Sequence, residues 1–218
     1  MTPEQLKADL QRMLADRQLL EHPFYRRWVA GELTLADVGA YAAQYRHFET
    51  ALPGMLRRLG NGLPAGPAAD LVGQNLADEE SNPAPHVELF EGFASAVGAP
   101  ATAPASSATA RLIATYDELI DAGSLGGLSA FVAYEMQAAS IADSKADGLR
   151  RTYGLDTAAV QFWDVHANMD VTHADWTITA LAGLADDAEG ILTPARRAAD
   201  AWWAFLDERE AESQAPPA

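Results

Sequence analysis

A chain of 218 residues, 49% of them hydrophobic, has the length and the apolar content for one packed domain. A formal net charge of −16 repels nucleic-acid phosphates and anionic lipid, and so argues against nucleic acid and membrane surfaces as partners. With no cysteine, disulfides, thiolate metal sites, iron–sulfur clusters and a cysteine nucleophile are all excluded.

Almost every segment reads as helix. Thr2-Pro3-Glu4-Gln5 is a capped start, and Leu6, Leu10, Met13 and Leu14 follow at helical spacing. With early charges and no apolar core segment, this start is not expected to be a signal peptide. A short helix over Pro23–Val29 stops near Gly31. Thr34 caps a long helix through Tyr41, Tyr45, Phe48, Leu52, Leu56 and Leu59, with a kink expected at Pro53. A loop over 61–67 leads to a helix from about Ala68 to Glu80. Asn82, Pro83 and Pro85 break it, and His86–Val97 forms the next. The uncharged stretch from Gly92 to Ala110 is rich in Pro, Ser, Thr, Ala and Gly. That is a linker composition over 99–107 and not a membrane span.

Ala108–Asp121 is amphipathic. Gly123–Gly127 turns into a long helix that reaches about Tyr153, and Asp156 caps another to about Leu184. Thr193-Pro194 is read as the start of the last helix, which carries Trp202, Trp203, Phe205 and Leu206. No run alternates with period two, and there is no internal repeat. The expectation is an all-α protein, a compact bundle of seven or eight helices. Residues 1–211 form its single domain and 212–218 a disordered tail. The expected location is the cytoplasm, and a homodimer is allowed.

Three segments carry chemistry. In the first, His166, Asp170 and His173 stand at i, i+4 and i+7, on one helix face that continues with Phe162, Thr177 and Ala180. Two imidazoles and a carboxylate on an inward stripe are costly unless something binds them. Imidazole with carboxylate suits iron or manganese. A hydrogen-bonded core His pair is the bland alternative. In the second, Glu79 and His86 flank the proline break, which lets both side chains converge. Taken alone, Asp78-Glu79-Glu80 is more often a solvated helix end. In the third, Glu135 is a lone acid in the small, apolar stretch from Leu125 to Ile141 and needs a partner. Together they supply three His and three carboxylates, the ligand set of a dinuclear site in a bundle core. There is no pair of Glu-x-x-His motifs, so the arrangement is not the ferritin-like one.

Glu79-x6-His86, the isolated Glu135 and His166-x3-Asp170-x2-His173 resemble the haem-oxygenase-like dimetal oxidases in order and spacing. The segments Leu20–Thr34 and Tyr41-Ala42-Ala43-Gln44-Tyr45 are also typical of that superfamily, and the resemblance runs from about residue 10 to 206. It is closest to the CADD-like branch of self-sacrificing p-aminobenzoate synthases. In that branch a tyrosine just after a His-x-Phe element supplies the aromatic ring. A lysine ten residues after the bridging Glu supplies the nitrogen. Tyr25 in His22-Pro23-Phe24-Tyr25, and Lys145 ten residues after Glu135, match those two positions.

The resemblance implies a haem-oxygenase-like fold and six metal ligands: Glu79, His86, Glu135, His166, Asp170 and His173. It further implies two metal ions (Fe/Fe or Fe/Mn), O2 as co-substrate, an external reductant, and a product that feeds folate synthesis. Read from the residues alone, Glu135, Ala138, Ala142, Lys145 and Leu149 form an inward stripe that puts the lysine in the core. Phe162 and Arg46 stand where relatives often have tyrosines. The runner-up is a multi-turnover dimetal oxygenase that uses the same ligands on an external small molecule. A thiaminase-like enzyme would need the missing cysteine. A haem oxygenase could take His22 as axial ligand but would leave Glu135, Asp170 and His173 without a role. A non-enzymatic interaction module would need none of the six ligands.

Overall fold

Caps and breakers divide the chain as helix physics requires. The computed structural model describes residues 1–185 and 187–215, with backbone only for 170–172. Thr2 caps α1 (Pro3–Met13) through a reciprocal capping box with Gln5. A 3-10 turn over Leu19–Glu21 leads to α2 (Pro23–Ala30). His22 caps α2, and Gly31 ends it in the left-handed conformation that suits a residue without Cβ. Thr34 caps α3 (Leu35–Gly62), which runs unbroken through Pro53. Then follow α4 (Pro67–Ser81), α5 (His86–Ala96), α6 (Ser107–Asp121), α7 (Ser124–Tyr153), α8 (Thr157–Leu184) and α9 (Glu189–Ser213).

Among the described residues this makes nine α-helices and one 3-10 turn, with no strand. The count exceeds the expected seven or eight, although the helical segments read one by one from the sequence are the same nine. Two boundaries also differ from expectation. The last helix starts at Glu189, upstream of Thr193-Pro194, so Pro194 lies inside it. It also continues past Ala211 to Ser213, because Arg27 of α2 donates to Ser213 Oγ at 2.8 Å and pairs with Glu210 at 3.1 Å. Residues 216–218 of the expected tail lie outside the described residues.

The long α7 lies at the centre, packed along α8 and α9 and touching α2, α3 and α6. Its small residues let neighbours approach. A Cβ on Gly148 would come within 2.9 Å of the Trp28 ring, so α2 rests directly on α7 there. The core is heavily aromatic, with Trp28, Trp163, Trp202, Tyr41, Phe90, Phe93 and Phe205 at most 1% exposed. Among the described residues no helix is long and apolar enough to cross a membrane.

Candidate metal centre

Asn82, Pro83 and Pro85 separate the end of α4 from the start of α5, and across that break Glu79 and His86 turn toward each other. His86 Nδ1 stands 3.0 Å from Glu79 Oε2. From α8, His166 brings Nε2 to 3.8 Å from Glu79 Oε1, and its ring meets His86 edge-on at 4.7 Å between centroids. One donor atom from each of the three lies within 4.8 Å of the others.

The tautomers decide what this cluster is suited to hold. His86 Nε2 faces the Asn82 carbonyl at 3.0 Å, and His166 Nδ1 faces the Phe162 carbonyl at 2.8 Å. A carbonyl only accepts, so those ring nitrogens carry the hydrogens. In the neutral rings His86 Nδ1 and His166 Nε2 are then left as lone pairs, both directed at a carboxylate. Glu79 Oε2 and His86 Nδ1 are buried and make no hydrogen bond. Acceptors facing acceptors call for a proton or a metal cation between them. A backbone carbonyl behind each imidazole is the usual support of a ligating histidine. Burial pushes the Glu79 carboxyl up, but where His166 and His86 are protonated and donate to it, they outweigh burial and hold it below the ordinary carboxylate range.

Glu79 and His166 line a cavity of about 60 Å³ with Glu135 of α7 and His173 of α8. Glu135 accepts from Asn75 Nδ2 at 3.2 Å, and His173 Nε2 lies 3.4 Å from Asp78 Oδ2. Five of the six expected ligands are thus gathered where α4, α5, α7 and α8 meet. The sixth, Asp170, has its side chain outside the described residues. Imidazole and carboxylate donors around one small cavity fit iron or manganese.

Tyr25 and Lys145 are gathered elsewhere, one aromatic layer away. Neither lines the cavity. Lys145 is 2% exposed, and its Nζ donates to Tyr41 Oη at 2.6 Å. Tyr41 Oη is also 3.0 Å from Tyr25 Oη. The lysine nitrogen lies 4.8 Å from the Tyr25 ring centre and 4.0 Å from that of Trp163. Between cluster and cavity stands Tyr45. It lines the cavity, stacks on Tyr41 at 5.6 Å and shares a 3.1 Å hydroxyl contact with Tyr134. Burial drives the Lys145 pKa well down, with the field of Glu49 working against the fall. Burial likewise raises the Tyr25 pKa. Glu49, only 2% exposed, also lines the cavity. Sequence reasoning missed Glu49, Tyr134, Asn75 and Asp78. For Glu49 the available signal was the i, i+4, i+8 spacing of Tyr41, Tyr45 and Glu49.

His22 is fully buried, and both ring nitrogens are engaged. Nδ1 accepts from Phe24 N–H at 3.1 Å, and Nε2 meets Asp207 at 3.0 Å. An axial bond to haem iron would cost it one of these.

A family model described as iron-containing redox enzyme matches residues 39–203. The chain belongs to that family. Curated relatives also match over nearly the whole length. A 4-aminobenzoate synthase of Nitrosomonas europaea is 33% identical, with 95% of this chain and 92% of that one covered. One from Chlamydia trachomatis is 30% identical, covering 89% and 87%. In fold, this member of the iron-containing redox enzymes superposes on a CADD-like protein of unknown function from Nostoc punctiforme. The TM-score is 0.81 at 20% identity, with 98% and 99% of the two chains covered. A domain with a haem-oxygenase-like fold from Shewanella denitrificans gives 0.75 at 16% identity, covering 97% and 91%.

Proposed function

We propose that this chain is a self-sacrificing p-aminobenzoate synthase: Tyr25 supplies the aromatic ring, Lys145 supplies the nitrogen, and the product feeds folate synthesis. Glu79, His86, Glu135, His166, Asp170 and His173 would hold two metal ions, Fe/Fe or Fe/Mn. With an external reductant that pair would supply O2 activation. The chain's own groups do the rest. Tyr41 accepts from Lys145 and meets Tyr25, which keeps nitrogen and ring together. Burial keeps water from both and favours the neutral amine, whose lone pair a new C–N bond requires. Proximity of this kind replaces an encounter in solution.

The observation that carries the reading is the Lys145 nitrogen 4.8 Å from the Tyr25 ring centre, both groups bound to one phenol inside the core. The curated relatives named 4-aminobenzoate synthase support it. The cavity among the metal donors, about 60 Å³, admits O2 or a few waters and not an organic substrate, for which several hundred Å³ is usual. A larger hollow, about 650 Å³ between α4 and α8 beside Leu71 and Trp176, shares no lining residue with that cavity. An oxygenase acting on an external small molecule therefore has less support.

The test is product formation with no organic substrate added. Iron-loaded protein given O2 and reductant should yield p-aminobenzoate, at most one per chain, with a matching loss in intact mass. Tyr25→Phe and Lys145→Arg should each abolish product while metal content stays at the wild-type level. Normal yield from both variants would overturn the proposal.

A further inference from the structure

Three hollows follow one another from the outer face of α4 and α8 to the metal donors. The outermost is the one of about 650 Å³, where Trp176 and Leu184 stand 43% and 42% exposed. The innermost is the cavity of about 60 Å³ at Glu79, Glu135, His166 and His173. A third, of about 10 Å³, joins them. It shares Leu71 with the outer hollow, and Leu56, Asn75, Phe131 and Glu135 with the inner cavity. The sequence of α4 produces this order, because Leu71, Asn75 and Glu79 stand at i, i+4 and i+8 and share one face. That face carries a residue of the mouth, a residue of the passage and a metal donor. On α8, Thr177 of the passage stands one turn beyond His173 of the cavity.

We propose that this row of hollows is the path by which O2 reaches the metal donors: it enters between α4 and α8 beside Trp176, passes Leu71, and arrives at the cavity beside Asn75 and Glu135. The inference rests on the reading that O2 is the co-substrate. Size and polarity choose the occupant. A hollow of about 10 Å³ takes at most one molecule the size of water, so organic solutes stop at Leu71. Six of its nine lining residues are apolar, among them Leu71 and Val72 from α4 and Phe131 from α7. The polar lining is Thr177 and the Asn75–Glu135 pair, whose members are bound to each other at 3.2 Å. Water in apolar surroundings forfeits hydrogen bonds, whereas an apolar gas loses nothing there. The passage therefore favours O2 over water. A reaction on the chain's own ring and amine requires just that: a gas must come in, and no organic substrate.

The test places metal-free full-length protein, with ¹³C-methyl leucine and valine, under O2 and then under argon. Dissolved O2 is paramagnetic and speeds the relaxation of the protons it visits. Leu128 and Val72 of the passage are 1% and 3% exposed, and Leu19 and Leu33, equally buried at 1% and 3%, line none of the three hollows. The O2-induced gain in methyl relaxation should be severalfold larger at Leu128 and Val72 than at Leu19 and Leu33. Equal gains would overturn the proposal. Leu71→Trp, which puts an indole across the passage, should abolish the gain at Leu128. In the iron-loaded protein it should raise severalfold the O2 concentration at which O2 uptake is half-maximal. Leu71→Ala widens the passage and should lower that concentration, and it carries the kinetic arm if the tryptophan variant does not fold. A half-maximal concentration that neither substitution moves would also overturn the proposal. Uptake of O2 that responds to both substitutions but yields no p-aminobenzoate would strike the self-sacrifice reading and uphold the path.

Discussion

His22→Ala should cost a substantial fraction of the stability of the fold, although it touches neither the metal donors nor Lys145. The imidazole caps α2 by accepting from Phe24 N–H, and it lies edge-on to Trp203 at 4.7 Å between centroids. Alanine leaves that buried N–H without a partner, a loss of about 1–2 kcal/mol. The vacated ring space beside Trp203 adds about 1–2 kcal/mol. The bond to Asp207 adds little, because the Asp207 side chain is 64% exposed. The total of about 2–4 kcal/mol corresponds to a fall in melting temperature of about 4–16 °C for a domain this size. His22→Asn should restore the cap, worth about 1 kcal/mol.

The pH dependence supplies a second arm. Burial lowers the His22 pKa, with Asp207 opposing, so the folded chain holds the ring neutral while the unfolded chain protonates it below about pH 6.5. The unfolded state then binds more protons, and wild-type stability should fall as pH drops below that value. The asparagine variant lacks this component, so its deficit should shrink toward pH 5. Melting curves by circular dichroism between pH 5 and 8 measure both effects. An unchanged melting point for His22→Ala would refute the reasoning.

Metal loading should stabilise the fold by mass action. Fe(II) or Mn(II) at a hundred times its dissociation constant contributes about 2.7 kcal/mol, or about 5–11 °C. His166→Ala removes a lone pair aimed at Glu79, so it should abolish both the thermal gain and the tightly bound iron seen by elemental analysis. A gain that persists in this variant would place the ion elsewhere.

The helical class was readable because Thr2, Thr34 and Asp156 sit at caps and Gly31 and Gly154 at ends, where their chemistry acts locally. The convergence of Glu79 and His86 was readable for a similar reason, since prolines impose a break wherever they stand. What stayed hidden depends on neighbours far along the chain. Thr193-Pro194 looks like a start, yet α9 begins four residues earlier, at Glu189, without a side-chain cap. Ser213 is held by Arg27, which no local pattern signals. Glu49 follows His47 and Phe48 in an ordinary amphipathic run, and beyond its place on the Tyr41–Tyr45 stripe it is the packing of α3 against α4, α6 and α7 that makes it a core carboxylate. The separation of Tyr25 from the metal donors by Tyr45 is likewise a property of helix packing. Spacing predicted that each group faces inward, not which of them share a chamber.

A synthase that consumes its own tyrosine should also damage its own core, and this makes a final expectation. Tyr25 is 2% exposed, its hydroxyl meets Tyr41, and its ring lies beside Phe24 and Lys145. Removing that ring leaves the kind of void that a large-to-small aromatic substitution creates, at about 3–5 kcal/mol. It also leaves the Tyr41 hydroxyl without one partner. The spent chain should therefore melt about 6–20 °C below the unreacted one. Calorimetry on the two populations, resolved by intact mass after one exposure to iron, reductant and O2, measures the difference. A spent protein that melts with the unreacted midpoint would mean that the ring was not taken from Tyr25. If the lower midpoint is found, it accounts physically for a single turnover: the reaction removes a side chain around which three helices pack, and the emptied scaffold has no means of refilling it.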